Sequence, residues 1–531
     1  MKKLLIFTLI LIINIISVSA SPVKESAENV IHVGTTALIE KAEYGEYNYD
    51  MLSSAVSELP LIYKDSVGVY HPLVASFSST DPAIWSFTIQ DDMTWSDGVK
   101  VTARDILYTL IYEDENGSAN FVDQRDSKGN VTKSKYVAYE LSDDEMTITL
   151  TLRNANVREL SNMTSFRIVP EHLYSDGEIT LADKRTTCGP FVLSKFDQAS
   201  GLIEFIPNTY YPEKGELDKV CYHLFSNEDT MYMALLNGDI AFTTIYNSGV
   251  SSAYLDILAQ SENLSIISEE YENVPLALSF NVKKINSKEL RNAISYVLDY
   301  EELSKYIGGV NAKVANRGFV PSSTVGYVET PKLTRDLAKA DELMKIAGYE
   351  KVDGYYTKDN KALELTLTYR LDKSIQYSGA ELIKNQLEEF GIKVKLDGLD
   401  SASYNAKTSN KFSDNNISFE LALFGYTANG MGMGAGLGTI YVDKNHSVQG
   451  GCQVDDDVFK AALTKLESAR NINEYYEGAK LMQQYYQEYI PFISLYHDGI
   501  SYAVSNSYSG YVVDSNFGIN NVNTFLALKR N

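Results

Sequence analysis

Catalysis needs a nucleophile with its base, a metal cluster or a phosphate cradle, and the 531-residue chain offers few arrangements of that kind. HExxH, GxxxxGK[ST] and GxSxG are all missing, and the six histidines include no pair at i, i+4 to hold a metal. Cys188, Cys221 and Cys452 form no CxxC, whereas thiolate zinc sites draw on closely spaced pairs. In an oxidising compartment Cys188 and Cys221 either pair, leaving Cys452 odd, or all three stay buried thiols. The run from Gly430 to Gly438 contains a formal GxGxxA. A dinucleotide loop leaves its strand directly and opens a helix. Here five residues separate a strand at 421–424 from Gly430, and Thr439 to Val442 reads as extended. The run is therefore expected to be a loop lining a pocket. Asp455, Asp456 and Asp457 read as the cap of a helix beginning near Val458 rather than as a cation site. No nucleophile–base–orienter set can be named, so no enzyme, cofactor or metal centre is expected.

The elements that would position a site fall into two textures. From residue 31 to about 192 the pattern is short strands and turns. Strands are expected at 83–89 and, with near-strict alternation, at 146–152. Between them Thr102 is placed to cap a helix carrying Ile106, Leu107 and Leu110. Beyond Asn273 helices lengthen. Leu290, Ala293, Ile294, Val297 and Leu298 form one apolar stripe. Ala340, Leu343, Met344 and Ala347 form another, which Gly348 can close in the left-handed conformation. A strand at 363–369, a helix at 378–390 ended by Gly391 and a strand at 392–396 read as a βαβ unit with parallel strands. There is no internal repeat and no Pro/Gly/Ser-rich linker, so the domains are expected to interleave.

Composition narrows the function classes. The formal charge of −23 disfavours partners with phosphate backbones, so no nucleic acid is expected. A hydrophobic fraction of 44 % is enough for real cores. The 38 tyrosines suit wet clefts as well as cores. At the start, Lys2 and Lys3 precede an apolar run from Leu4 to Val18, and Val18-Ser19-Ala20 supplies small residues where a signal peptidase reads. Residues 1–20 thus read as an export signal without a lipid-acceptor cysteine. The expectation is a periplasmic protein, with secretion or cell-surface association as the alternative.

Four islands carry a family resemblance. Trp95-Ser96-Asp97-Gly98 followed by Thr102-Ala103-Arg104-Asp105 resembles the W-S-D-G-x-x-x-T-A-x-D signature of extracellular solute-binding proteins of the oligopeptide, dipeptide and nickel type. Cys188-Gly189-Pro190-Phe191, Asn208 to Tyr211 and Leu217 to Val220 are similar to the family's GTGPY…NPxYW…LDKI run, with Thr187-Cys188 where Gly-Thr is usual. Phe280-Asn281, Leu290 to Tyr296 and the helix at 336–347 resemble FN…VRQAISYAID…YDPEKAKELLAEAGY. Pro491 to Tyr496 is similar to the segment that returns the chain to its first lobe.

The resemblance implies an α/β, two-lobed periplasmic-binding-protein-like fold (type II, cluster C-like) with an extra subdomain in the N-terminal lobe. The implied division is 31–60, 186–272 and 490–531 in lobe I, 61–185 in the extra subdomain, and 273–489 in lobe II. It also implies the substrate-binding component of an ABC importer, a monomer that closes on a peptide or similar small solute and hands it to membrane permease subunits. The alternatives are a ligand sensor of the same fold, or a binder of an oligosaccharide or metal chelate. Peptide-binding relatives often carry a W-x-A-D segment whose acid pairs with the peptide ammonium. Here Tyr426, Thr427, Ala428 and Asn429 stand at that segment, so a neutral amide replaces the acid. Burying an ammonium without a counter-charge costs several kcal/mol. The expected ligand-facing residues are accordingly Tyr426, Thr427, Asn429, Gly430 and Met431, and either another acid such as Glu58 does the pairing or the ligand is not a peptide.

Overall fold

The computed structural model describes residues 28–65, 69–115, 124–125, 131–133, 135–244, 249–308, 312–426, 441–445, 450–514 and 517–531. The expected export signal at 1–20 and the glycine run at 430–438 lie outside them. Among the described residues no helix is long and apolar enough to cross a membrane.

The alternating threonines become one face of a four-stranded antiparallel sheet, ordered Ala75–Asp81, Ile84–Ile89, Thr147–Leu152 and Tyr136–Leu141. Ser86 and Thr88 meet Thr149 and Thr147 across the strands, with hydroxyl oxygens 2.9 Å apart in both pairs. The opposite face buries Phe87, Ile148 and Leu150 against Ile106 and Leu110 of the helix Ala103–Glu115. The Trp-Ser-Asp-Gly island is the joint of this subdomain. Gly98 takes φ +92°, which suits an Asp-Gly turn. Buried Trp95 donates its indole N–H to Asp105 Oδ2 at 3.3 Å, and the same oxygen accepts the Thr102 N–H at 2.8 Å. The capping contact at this helix is thus the Asp105 carboxylate reaching back from the third helical position.

A 12-stranded mixed sheet connects the two lobes. In the first lobe Val30–Thr35 lies parallel to Lys219–Leu224 and to Phe242–Thr243. In the second lobe Glu364–Arg370 and Lys393–Leu399 are parallel over their whole length, joined by the helix Ser374–Phe390, as the βαβ reading required. Gly391 closes that helix at φ +109°. The helix begins four residues earlier than the apolar spacing indicates, because its polar first turn is anchored by the first lobe. Two long strands, Leu264–Phe280 and Tyr496–Ser505, run antiparallel from Leu264 opposite Ser505 to Asn273 opposite Asp498. Their far ends sit in different cores. Tyr502 and Val504 pack with Ile31 and Val33, whereas Leu276, Leu278 and Tyr496 pack with Ile294, Leu367 and Ile383. These strands are the crossing between lobes. Ile490, Ile493 and Leu495 belong to the second lobe's core, so the chain returns to the first lobe beyond residue 490.

Several short readings resolve here as well. The stripe at Leu290 lies on the helix Lys288–Val297, capped by the Ser287 side chain. Arg291, inside the third island, is buried without an acid. Its guanidinium donates to the carbonyls of Ile285, Asn286, Tyr489 and Ile490, and so fastens the end of the helix Ile472–Tyr489. Asp456 caps the helix Asp457–Glu467, while Asp455 pairs with Lys460 at 2.8 Å. Cys188, Cys221 and Cys452 are separate, buried and free. Tyr441 and Val442 are helical where an extended segment is read from the sequence.

Candidate functional site

A parallel strand ends on the side of the sheet where α/β proteins place ligands, and here Arg370 ends the strand Glu364–Arg370. Lys373 follows at the N-cap of the helix Ser374–Phe390, its side chain making no capping bond. Both side chains line a cavity of about 250 Å³. Its walls are largely aromatic: Tyr404, Phe412, Phe419, Phe424 and Tyr441 from the second lobe, and Tyr47 from the first. A smaller cavity of about 60 Å³ shares Pro275, Lys373 and Ile375. It is bounded across the lobe junction by Glu228, Ser251, Asp498 and Ile500. Lys373 therefore stands between two spaces that lie along the junction.

The turn holding these cations is built from its own hydrogen bonds. Arg370 Nε donates to Asp372 Oδ1 at 2.9 Å, and a second guanidinium N–H reaches Oδ2. The Arg370 backbone N–H donates to Gln376 Oε1 at 2.9 Å, which folds the turn onto the helix. Ser374 Oγ–H donates to Glu228 Oε2 at 2.7 Å, and Ser251 Oγ lies 2.9 Å from Ser374 Oγ. A first-lobe carboxylate and a first-lobe hydroxyl thus grip the first residue of a second-lobe helix. Burial pushes Glu228 above the usual carboxylate range, against the pull of Ser374 and Lys373. Lys373 is enclosed by protein on nearly all sides while part of its surface opens to the cavities. Burial, with Arg370 adding to it, brings its ammonium down to about 8, opposed by Glu228 and Asp372.

The expected site residues fall in three places. Tyr426 ends the strand Leu421–Tyr426 with its ring 2 % exposed, packed among Phe424, Tyr441 and Phe492. Its hydroxyl donates to the Phe319 carbonyl at 2.7 Å. Ser494 donates to the same carbonyl at 2.8 Å. Phe319 itself holds φ +67°, unusual for a bulky residue. The neighbours Phe424 and Gly425, not the Tyr426 side chain, appear on the wall of the larger cavity. Thr427, Asn429, Gly430 and Met431 lie outside the described residues. Glu58 is buried in the first lobe, where its Oε2 accepts from Ser53 Oγ at 2.8 Å and from Arg167 Nη1 at 3.2 Å. Arg167 Nη2 holds Asp50 at 2.9 Å. Burial, with Asp50 adding to it, pushes Glu58 up against the pull of Arg167. Glu58 lines neither of the two cavities.

Arg370 and Lys373 escape motif reading because a charged pair after a strand looks like a solvated turn. The usable signal is positional: Arg-Leu-Asp-Lys sits at the carboxyl end of a parallel strand in a βαβ unit.

The family model for "Bacterial extracellular solute-binding proteins, family 5 Middle" matches residues 69–447. A probable D,D-dipeptide-binding periplasmic protein of Escherichia coli (strain K12) is 25 % identical over 347 residues, covering 64 % of this chain and 63 % of that protein. The oligopeptide-binding protein AppA of Bacillus subtilis (strain 168) is 23 % identical over 355 residues, 62 % of this chain and 61 % of its own. The matched stretches thus span less than two thirds of either relative. Among solved structures, NikZ from Campylobacter jejuni in complex with Ni(L-His) superposes with a TM-score of 0.77 at 19 % identity, covering 95 % of this chain and 100 % of that one. The mannohexaose-bound periplasmic oligopeptide-binding protein of Thermotoga maritima gives 0.78 at 15 % identity, with 95 % and 99 % covered.

Proposed function

We infer the function from one premise: the chain belongs to family 5 of the bacterial extracellular solute-binding proteins. It is the substrate-binding component of an ABC importer. It captures a peptide or similar small solute between its two lobes and delivers it to the membrane permease subunits. The observation that carries this reading is the cavity at the lobe junction, with walls from both lobes and two crossing strands beside it. Clefts between domains are preferred ligand sites, and hinge closure around a ligand is an established motion. The relatives' names extend the reading to a range of cargo: a dipeptide or oligopeptide in two, a nickel–histidine complex or an oligosaccharide in two others. The protein works as an exported monomer in a periplasm-like space and carries out no chemistry on its ligand.

The test is X-ray scattering together with thermal melting across a library of short peptides, oligosaccharides and metal chelates. A true cargo compacts the protein and stabilises it by RT ln(1 + [L]/Kd), about 2.7 kcal/mol at a hundredfold excess over Kd. Indifference to every class of solute removes the transport reading. Turnover of a bound solute replaces it with an enzymatic one.

A further inference from the structure

No two histidines stand at helical spacing in the sequence, but the first lobe's sheet makes a pair from positions 191 residues apart. His32 lies on the strand Val30–Thr35 and His223 on its parallel neighbour Lys219–Leu224. His32 Nδ1 and His223 Nε2 are 2.9 Å apart, with ring centroids 5.1 Å apart and planes tilted by 41°. Register sets Cys221 opposite His32, and Glu204 of the strand Leu202–Pro207 opposite Cys221. Alternation turns these residues to the face away from the core that holds Ile31, Val33, Val220 and Tyr222. Both rings are half-buried, and neither lines the two cavities at the lobe junction.

We propose that His32 and His223 form a copper(II) site on the outer face of the first lobe's sheet, separate from the cargo cavity. Two nitrogens 2.9 Å apart, each at the usual metal–imidazole distance of about 2.0–2.1 Å, subtend an angle of about 90° at the ion. That is the cis angle of the tetragonal coordination Cu(II) and Ni(II) prefer, whereas a tetrahedral zinc needs the nitrogens spread to about 3.3 Å. Between those two ions Cu(II) binds such donors the more tightly. In the hydrogen-bonded pair one nitrogen donates and the other accepts. Moving that hydrogen to the donor ring's other nitrogen presents two lone pairs to the ion with no net change of charge. Among the described residues no group of three or more His, Cys, Asp or Glu side chains could hold a metal, so the protein supplies two ligands and water the rest. His71 and His172 each stand beside a carboxylate instead, 2.8 Å from Asp65 and 2.7 Å from Asp97. Two imidazoles suit copper better than one imidazole with an acid, because carboxylates favour harder cations. An ion held by His32 and His223 also clips the strand Val30–Thr35 to its neighbour, and so adds its binding energy to the folded state.

The experiment adds copper(II) chloride alone to the purified protein and follows it by titration calorimetry and electron paramagnetic resonance. Expected is one Cu(II) per chain, with a tetragonal spectrum split by two imidazole nitrogens and a raised melting point. His32→Asn and His223→Asn each weaken binding by about tenfold or more, and Cys221→Ser leaves it unchanged. A second measurement needs no variant: in wild-type protein, substoichiometric copper broadens the ring-proton signals of His32 and His223 before those of His71 and His172. Copper that stays bound when both histidines are replaced, or broadening that begins at His71 or His172, overturns the proposal. So does the absence of a one-to-one complex. Each of these results leaves the cargo function standing, because none of the residues involved lines the junction cavities.

Discussion

Asp50, Glu58 and Arg167 in the first lobe resemble Arg370, Asp372 and Lys373 in the second: each is a cluster of three charges, held in the first by Arg167 reaching both acids and in the half-buried second by the Arg370–Asp372 fork beside Lys373. Their surroundings differ. The first knot has two carboxylates on one guanidinium, with Ser53 supplying a further hydrogen bond, and its side chains are all less than 14 % exposed. The second has two cations to one acid and opens onto cavity space. A charge whose partners come from its own lobe holds that lobe together. A charge facing a cavity is kept in position by its neighbours and also borders space that a ligand can enter. Burial alone does not separate the two cases; the identity and direction of the partners do.

The largest effect should come from the closed knot. Arg167→Leu strands two carboxylates in a protein interior, and breaking a buried pair by removing one member costs roughly 3–5 kcal/mol. Urea unfolding at pH 7 should show that loss. Because protonating Glu58 relieves part of it, the variant should regain stability as the pH falls towards the ordinary carboxylate range. A cost below about 1 kcal/mol would mean the knot is wetter than its burial indicates, and the contrast between the two clusters would weaken.

The two clusters also differ in how readily the sequence discloses them. The first lobe's subdomain was legible because strict alternation, the Asp-Gly turn and the Trp95–Asp105 spacing are local signals, and local geometry answers them directly. The βαβ unit was legible for the same reason, down to Gly391. The islands that carried the resemblance turned out to be largely structural: Arg291 ties off a helix, and Asp105 caps one. The candidate site was much less legible. Glu58 looked available as an acid because Arg167, its partner, lies 109 residues away. Lys373 looked like a surface lysine because Glu228, which reaches its turn, comes from the other lobe. Pairings of that range leave no periodicity in the chain, so only the assembled fold places them.

A smaller effect, of opposite sign, is expected at the open cluster. Lys373 has its folded value depressed from 10.5 to about 8. A depressed group contributes stability that is present above its unfolded value and lost as the pH falls through its folded one. Wild-type stability should therefore rise between pH 8 and pH 10.5, by about 1–2 kcal/mol once the face open to the cavity is allowed for. Lys373→Met should flatten that rise and leave the protein at least as stable at pH 7. If the methionine variant is instead as damaged as Arg167→Leu, Lys373 is a structural ion and the distinction between the clusters fails.

The smallest effect concerns how the lobes meet around the open cluster. Ser374 donates its hydroxyl hydrogen to Glu228 and accepts from the Ser251 hydroxyl, so both its partners lie in the first lobe while it starts a second-lobe helix. On another part of the junction Arg470 meets Asp81 at 3.4 Å, with 57 % and 45 % of those side chains exposed. Exposed pairs of that kind contribute roughly 0–1 kcal/mol. A buried hydroxyl–carboxylate bond contributes more, about 1 kcal/mol or somewhat above, because Glu228 has little water to turn to. Ser374→Ala should therefore lower the affinity for any cargo about fivefold and enlarge the liganded protein's radius of gyration, while Arg470→Ala changes neither. The methyl group of alanine fills nearly the same space, so the loss reports the hydrogen bond rather than packing. Equal effects from the two substitutions would show that the junction is held evenly along its length. The grip on the helix carrying Lys373 would then have no special part in closure.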